Sequence, residues 1–192
     1  MLDINVLEDT ASEIFWGELS PSEHLLQIYE DDEIFLDTLE GFVAGGLKAG
    51  DGVVVLATES HITGLDMRLS SQGIDINAAR LNGDYIVVDA EEALSVFIAD
   101  GWPNDDQFHE LVADLLRRAR SDERRVRAFG ELVAVLWGRG HIAATVRLEY
   151  LWHNLCRERG FSLFCAYPKI GFTDFALKSM QEICDVHSRV IH

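Results

Sequence analysis

A chain of 192 residues, 48% of them hydrophobic, has enough apolar content to bury a core, which excludes intrinsic disorder. Its 16 Lys and Arg stand against 33 Asp and Glu, a net charge of −17 that repels phosphate backbones and anionic lipid, so neither nucleic acid nor a membrane is an expected direct partner. Three cysteines without a CxxC pair, and no apolar stretch of membrane-spanning length, suit a reducing, cytoplasmic setting.

In chain order, residues 1–20 read as an acidic extension with a few apolar side chains, Phe15 and Trp16 among them, ending at Ser20-Pro21-Ser22. They suit a short docking helix or a connector, and residues 21–192 form the single domain. Residues 24–29 (HLLQIY) read as a short strand, and residues 33–48 as a helix with a broad apolar face. Gly50-Asp51-Gly52 turns the chain into VVVLAT, a β-branched run that needs cover on both faces. A helix is expected over residues 63–72, stopped by Gly73, and a third strand at YIVVD, residues 85–89. Residues 91–99 and 105–120 are helical and separated by Gly101-Trp102-Pro103. A fourth strand lies within residues 126–133, a helix covers 148–159, a fifth strand covers 161–167, and the tail from Phe172 returns to helix. Strands alternating with helices of this length predict an α/β fold of three layers, with a mostly parallel sheet covered on both faces. In such folds function gathers at the loops leaving the carboxyl ends of the strands.

After the first strand comes Tyr29 and four carboxylates in a row, Glu30-Asp31-Asp32-Glu33. A phosphate-binding loop needs glycines, a Lys and a Ser or Thr, and none is there. Acids at a helix amino end repel ATP and favour the helix dipole, and Asp31 or Asp32 is a natural N-cap. After the second strand, Thr58 or Ser60 is a candidate cap, while Glu59 and His61 are candidate crevice residues, His61 titrating near neutral pH. Asp89-Ala90-Glu91-Glu92 again reads as a helix cap. Around the fourth strand Glu131 interrupts an apolar run, so it is solvated, paired with Arg127 or Arg147, or a pocket acid. Glu149 and His153 are i,i+4 neighbours, a spacing seen in metal sites, but without a visible third ligand neither a metal nor another cofactor is expected. Trp152 belongs most simply to the core. No GxSxG elbow or other nucleophile arrangement is present, so no catalytic set is expected.

Taken together, HLLQIYEDDEIFLDTLEGFVAGGLKAGDGVVVLATESH, FGELVAVLWGRG, LEYLWHNL and FCAYP resemble the MEDS sensory domain family, named for methanogen and methylotroph proteins. The resemblance covers about residues 22–191. The family is similar in turn to the RecA/KaiC ATPase fold, and Glu59 matches the catalytic-glutamate position there. HLLQIYEDDE stands where strand and phosphate loop would be, and RVRAFGE occupies the Walker B strand. The absent phosphate loop departs from the ATPase pattern. The resemblance implies a non-catalytic sensory domain that recognises a small molecule such as a hydrocarbon derivative. It also implies output through a partner protein such as a histidine kinase or an anti-sigma-type regulator. Tyr29, Glu30, Glu59, His61, Glu131 and Tyr167 are the expected ligand-binding residues, with Trp102 or Trp137 as a shield. Two other classes stay open: an interaction module without ligand, and a residual nucleotide-binding enzyme using Glu59 and Glu131.

Overall fold

The structure is a computed structural model and describes residue 16 and residues 19–120, 124–171 and 177–191. The first half runs β1 (His24–Tyr29), α1 (Asp32–Ala49), β2 (Gly52–Ala57), α2 (Glu59–Ser71), α3 (Ile76–Leu81), β3 (Tyr85–Asp89) and α4 (Ala90–Phe97). A small antiparallel pair follows, β4 (Ile98–Ala99) with β5 (Trp102–Pro103), then α5 (Asp105–Ala119). The second half runs β6 (Val126–Gly130), α6 (Leu132–Gly138), α7 (Ile142–Arg159), β7 (Ser162–Pro168), α8 (Leu177–Val186) and β8 (Arg189–Ile191).

The main sheet is six-stranded in the order β3-β2-β6-β7-β1-β8, and every pairing is parallel. Helices on both faces make three layers, an arrangement consistent with a RecA-like fold. Strand alternation sorts the side chains into two cores. On one face Leu25, Tyr29, Val53, Val55, Phe129 and Phe164 pack with α1 and α2; on the other Leu26, Val54, Leu56, Cys165 and Tyr167 pack with α4 to α8. Cover on both faces explains why all six residues of β2 are buried.

The acidic turn is a helix cap, as expected: Asp31 Oδ1 accepts from the Glu33 amide at 2.7 Å, with Asp32 and Glu33 in the first turn. Gly50, at φ 78°, closes α1 in a left-handed conformation that suits glycine. Asp89 caps α4 by accepting from the amides of Glu91 and Glu92. Trp16 packs edge-on against Phe42 at 5.8 Å and rests over Gly41 and Gly45, where any Cβ would collide with it. The rest of residues 1–18, where a docking helix or connector is expected, lies outside the described residues.

Several elements differ from expectation. The helix after β2 starts at Glu59, so Glu59 and His61 occupy its first turn and are not loop residues. The fourth strand falls within residues 126–133 as expected, while the helix α6 that follows it is unexpected, because a short buried run reads alike as strand or helix. The helix expected at residue 148 begins at Ile142. The short α3, β4, β5 and β8 carry too few residues for a period to show.

Candidate functional site

Three strand ends meet on the α1–α2 face of the sheet. β6 ends at Gly130, and Glu131 follows with its amide still bonded to the Leu56 carbonyl of β2 at 2.8 Å. Its carboxylate reaches across to the start of α2. Glu131 Oε2 accepts from the Thr58 amide at 2.8 Å and the Thr58 hydroxyl at 3.2 Å, while Oε1 lies 2.8 Å from His61 Nδ1. Thr58 stands at the N-cap of α2 without capping it, because its hydroxyl faces Glu131 and lies 3.1 Å from His61 Nδ1. The cost of burying Glu131, 6% exposed, is therefore met by Thr58 and His61.

The arginines expected to pair with Glu131 are engaged elsewhere. Arg127 bonds Asp51 at 2.7 Å and the Phe42 carbonyl at 3.2 Å, and Arg147 pairs with Asp105 on α5. Arg127 shares the α1–α2 face with Phe129 but lies near the start of β6, beside Asp51, a strand length from Glu131, and Arg147 lies two residues before Glu149 on α7, away from this corner.

Aromatic rings form the apolar wall of the site. Tyr29 stacks on Phe35 with centroids 4.7 Å apart, and Phe35 meets His61 edge-on at 4.9 Å and Phe129 at 5.6 Å. Burial, then the Glu131 and Asp32 charges, hold the Tyr29 phenol above its usual range, so it stays protonated. At His61 burial works toward the neutral imidazole, but the Glu131 hydrogen bond and charge, with Asp32, outweigh it and raise the pKa. The side chain of His61 is 15% exposed, and its hydrogen bonds to Thr58 and Glu131 all use Nδ1. A charged His61 thus presents Nε2–H as a donor beside an apolar wall.

The site sits on an all-parallel sheet whose first loop is a carboxylate-capped helix start. The MEDS family, described as the methanogen/methylotroph, DcmR sensory domain, matches residues 23–188. The chain belongs to this family. A sensory or regulatory role follows from that membership. Among curated proteins none matches the chain.

The MEDS domain brings together Tyr29, His61 and Glu131 of the expected residues. Glu30 is exposed and pairs with Lys169 at the rim, and Glu59 is exposed on the first turn of α2. Tyr167 lies on the other face of the sheet, fully buried, and donates to Glu149 at 2.5 Å. The register explains this: Tyr29 pairs with Pro168, so Tyr167 stands beside Ile28 and shares its face. Trp137 is buried against Tyr167 at 6.0 Å on that second face, and half-exposed Trp102 sits on β5, which packs on α7. Sequence reasoning missed Thr58 as a ligand of Glu131 and Phe35 as the floor of the aromatic wall. Phe35 follows the acidic turn by two residues, a signal within reach of the helical period. No helix among the described residues is long and apolar enough to cross a membrane.

Proposed function

We propose that this MEDS domain senses a small hydrocarbon derivative at the carboxyl ends of β1, β2 and β6 and signals to a partner protein without catalysis. The observation that carries this reading is the His61–Glu131–Thr58 cluster beside the Tyr29–Phe35 stack. The ligand carries an oxygen that accepts from His61 Nε2–H, and its short apolar body has to part the Tyr29–Phe35 stack, whose residues are 7% and 0% exposed. The Tyr29 hydroxyl serves as a second polar contact. Capping acids at the start of α1 speak against nucleotide phosphates at the same corner.

The signal is a change in how Glu131 holds α2. A ligand that draws His61 toward itself loosens the Glu131 bonds to Thr58 and shifts the seating of α2 on β2. A histidine kinase or an anti-sigma-type regulator reading that face would receive it. Thermal-shift screening of the full chain against short alcohols, ketones and carboxylic acids tests the proposal. A ligand at one hundred times its Kd stabilises by about 2.7 kcal/mol, or roughly 5–10 °C for a chain of this size. His61→Ala or Tyr29→Ala is expected to abolish the rise. A silent panel beside a clear pull-down partner would replace this reading with an interaction module. ATP hydrolysis lost in Glu59→Gln would replace it with an enzyme.

A further inference from the structure

On the opposite face of the sheet four metal-ligating side chains converge in the dry interior. His24 opens β1, Cys165 lies in β7 opposite Leu26, Glu149 comes from the middle of α7, and His187 follows α8. One donor atom from each lies within 4.8 Å of all the others. His24 Nε2 is 3.5 Å from Cys165 Sγ and 3.7 Å from Glu149 Oε2, and His187 Nε2 is 3.5 Å from Glu149 Oε2. The side chains of His24, Glu149 and His187 are at most 1% exposed, and Cys165 is wholly buried.

A purely hydrogen-bonded cluster does not account for these atoms. Glu149 Oε2 and His187 Nε2, both facing the cluster, are buried without a hydrogen-bond partner, and an orphaned buried polar atom costs about 1–3 kcal/mol. Three of the donor separations, 3.5, 3.7 and 3.5 Å, instead suit a shared cation, and the other pairs lie within 4.8 Å. Around Zn2+, bonds of about 2.0–2.3 Å at tetrahedral angles place ligand atoms about 3.3–3.7 Å apart. The surrounding groups aim the donors inward. His187 Nδ1 lies 2.6 Å from the Ile183 carbonyl, which fixes that nitrogen as the protonated one and turns the Nε2 lone pair into the cluster. The Tyr167 hydroxyl occupies Glu149 Oε1 and leaves Oε2 for the site. Charge also closes: a thiolate and a carboxylate neutralise a divalent cation, with two neutral imidazoles completing four ligands.

We propose that His24, Glu149, Cys165 and His187 form a closed tetrahedral site for a divalent, borderline-soft cation of the Zn2+ class. With four protein ligands and no open position the site is structural. It pins the segment from α8 to β8 onto the body of the domain, where Ser188 already hydrogen-bonds the backbone of His24. Metal loading therefore sets whether the last strand stays on the sheet edge. The site stands apart from the His61–Glu131 corner, on the other face, and does not depend on the sensing proposal.

The test uses the full chain, purified without an affinity tag or chelator, and measures metal content by mass spectrometry. One zinc per chain, retained through gel filtration, is expected. Refolding from denaturant with Co2+ is expected to give strong tetrahedral d–d absorption and a thiolate-to-cobalt charge-transfer band. Cys165→Ser removes that band, and Tyr167→Phe, which frees Glu149 Oε1, weakens Co2+ binding about 10- to 100-fold in competition with a chromophoric chelator. Wild-type chain that is folded by circular dichroism, elutes metal-free and stays colourless with Co2+ overturns the site. So does a charge-transfer band that persists in Cys165→Ser.

Discussion

Replacing Glu131 by Gln isolates the charge of the strand-end cluster. Glutamine keeps the volume and one acceptor, so the bond from the Thr58 amide, 2.8 Å in the wild type, survives. What is lost is the carboxylate facing His61 Nδ1 at 2.8 Å. A hydrogen bond between charged groups contributes about 1.5–3 kcal/mol and a neutral one about 0.5–1.5 kcal/mol, so Glu131→Gln costs about 1–2 kcal/mol while His61 is charged. For a chain of this size that is a fall of roughly 2–8 °C in the unfolding midpoint. The sign of the pH dependence follows from His61, whose folded pKa is raised. Such a group adds stability fully below its unfolded pKa of about 6.5 and loses it as pH rises through the folded pKa. The gap between wild type and Glu131→Gln is therefore largest near pH 5.5 and narrows above that folded pKa. Thermal melts of both proteins from pH 5.5 to 8.5 measure it, with an NMR titration of the His61 imidazole expected to fall in the variant. A gap that stays constant across this range would refute the ion pair.

Two further predictions concern the framework that holds the site. Asp51, 4% exposed, pairs with buried Arg127 at 2.7 Å and with Arg125 at 3.0 Å. Asp51→Ala strands the Arg127 guanidinium and should cost about 3–5 kcal/mol in chemical denaturation, while Arg125, half exposed, should matter far less when replaced. A Cβ at Gly52 would lie 2.2 Å from the Ala119 carbonyl oxygen, whereas one at Gly138 meets open space. Gly52→Ala should therefore destabilise by about 3 kcal/mol or more and Gly138→Ala should be neutral or stabilising, compared by midpoint shifts.

Local features of the chain were legible because local physics writes them. The alternation of β-branched runs with helical periods predicts the parallel sheet, and Asp31 caps α1 as its side-chain chemistry requires. Glu131 stood out because a carboxylate in an apolar run needs a partner. Its partners were not legible: Thr58 and His61 are 73 and 70 residues away in the chain and arrive only when β2 and β6 pair. Arg127 is held beside Asp51 at the opposite end of the strands from Glu131, and Arg147 pairs with Asp105 on α5.

The sequence by itself determined the layered α/β architecture and the capped acidic turn without a phosphate loop. Tertiary structure alone decided which residues share a face. One step of register at β1 and β7 put Tyr167 with Glu149 and not with Tyr29. In sequence Glu149 had only His153 at i,i+4 beside it, too little to expect a metal. Folding brought His24, Cys165 and His187, from two strands and the tail, to Glu149 instead. Such a convergence has no periodic trace, because the spacing between its members is set by the crossings of the chain over the sheet.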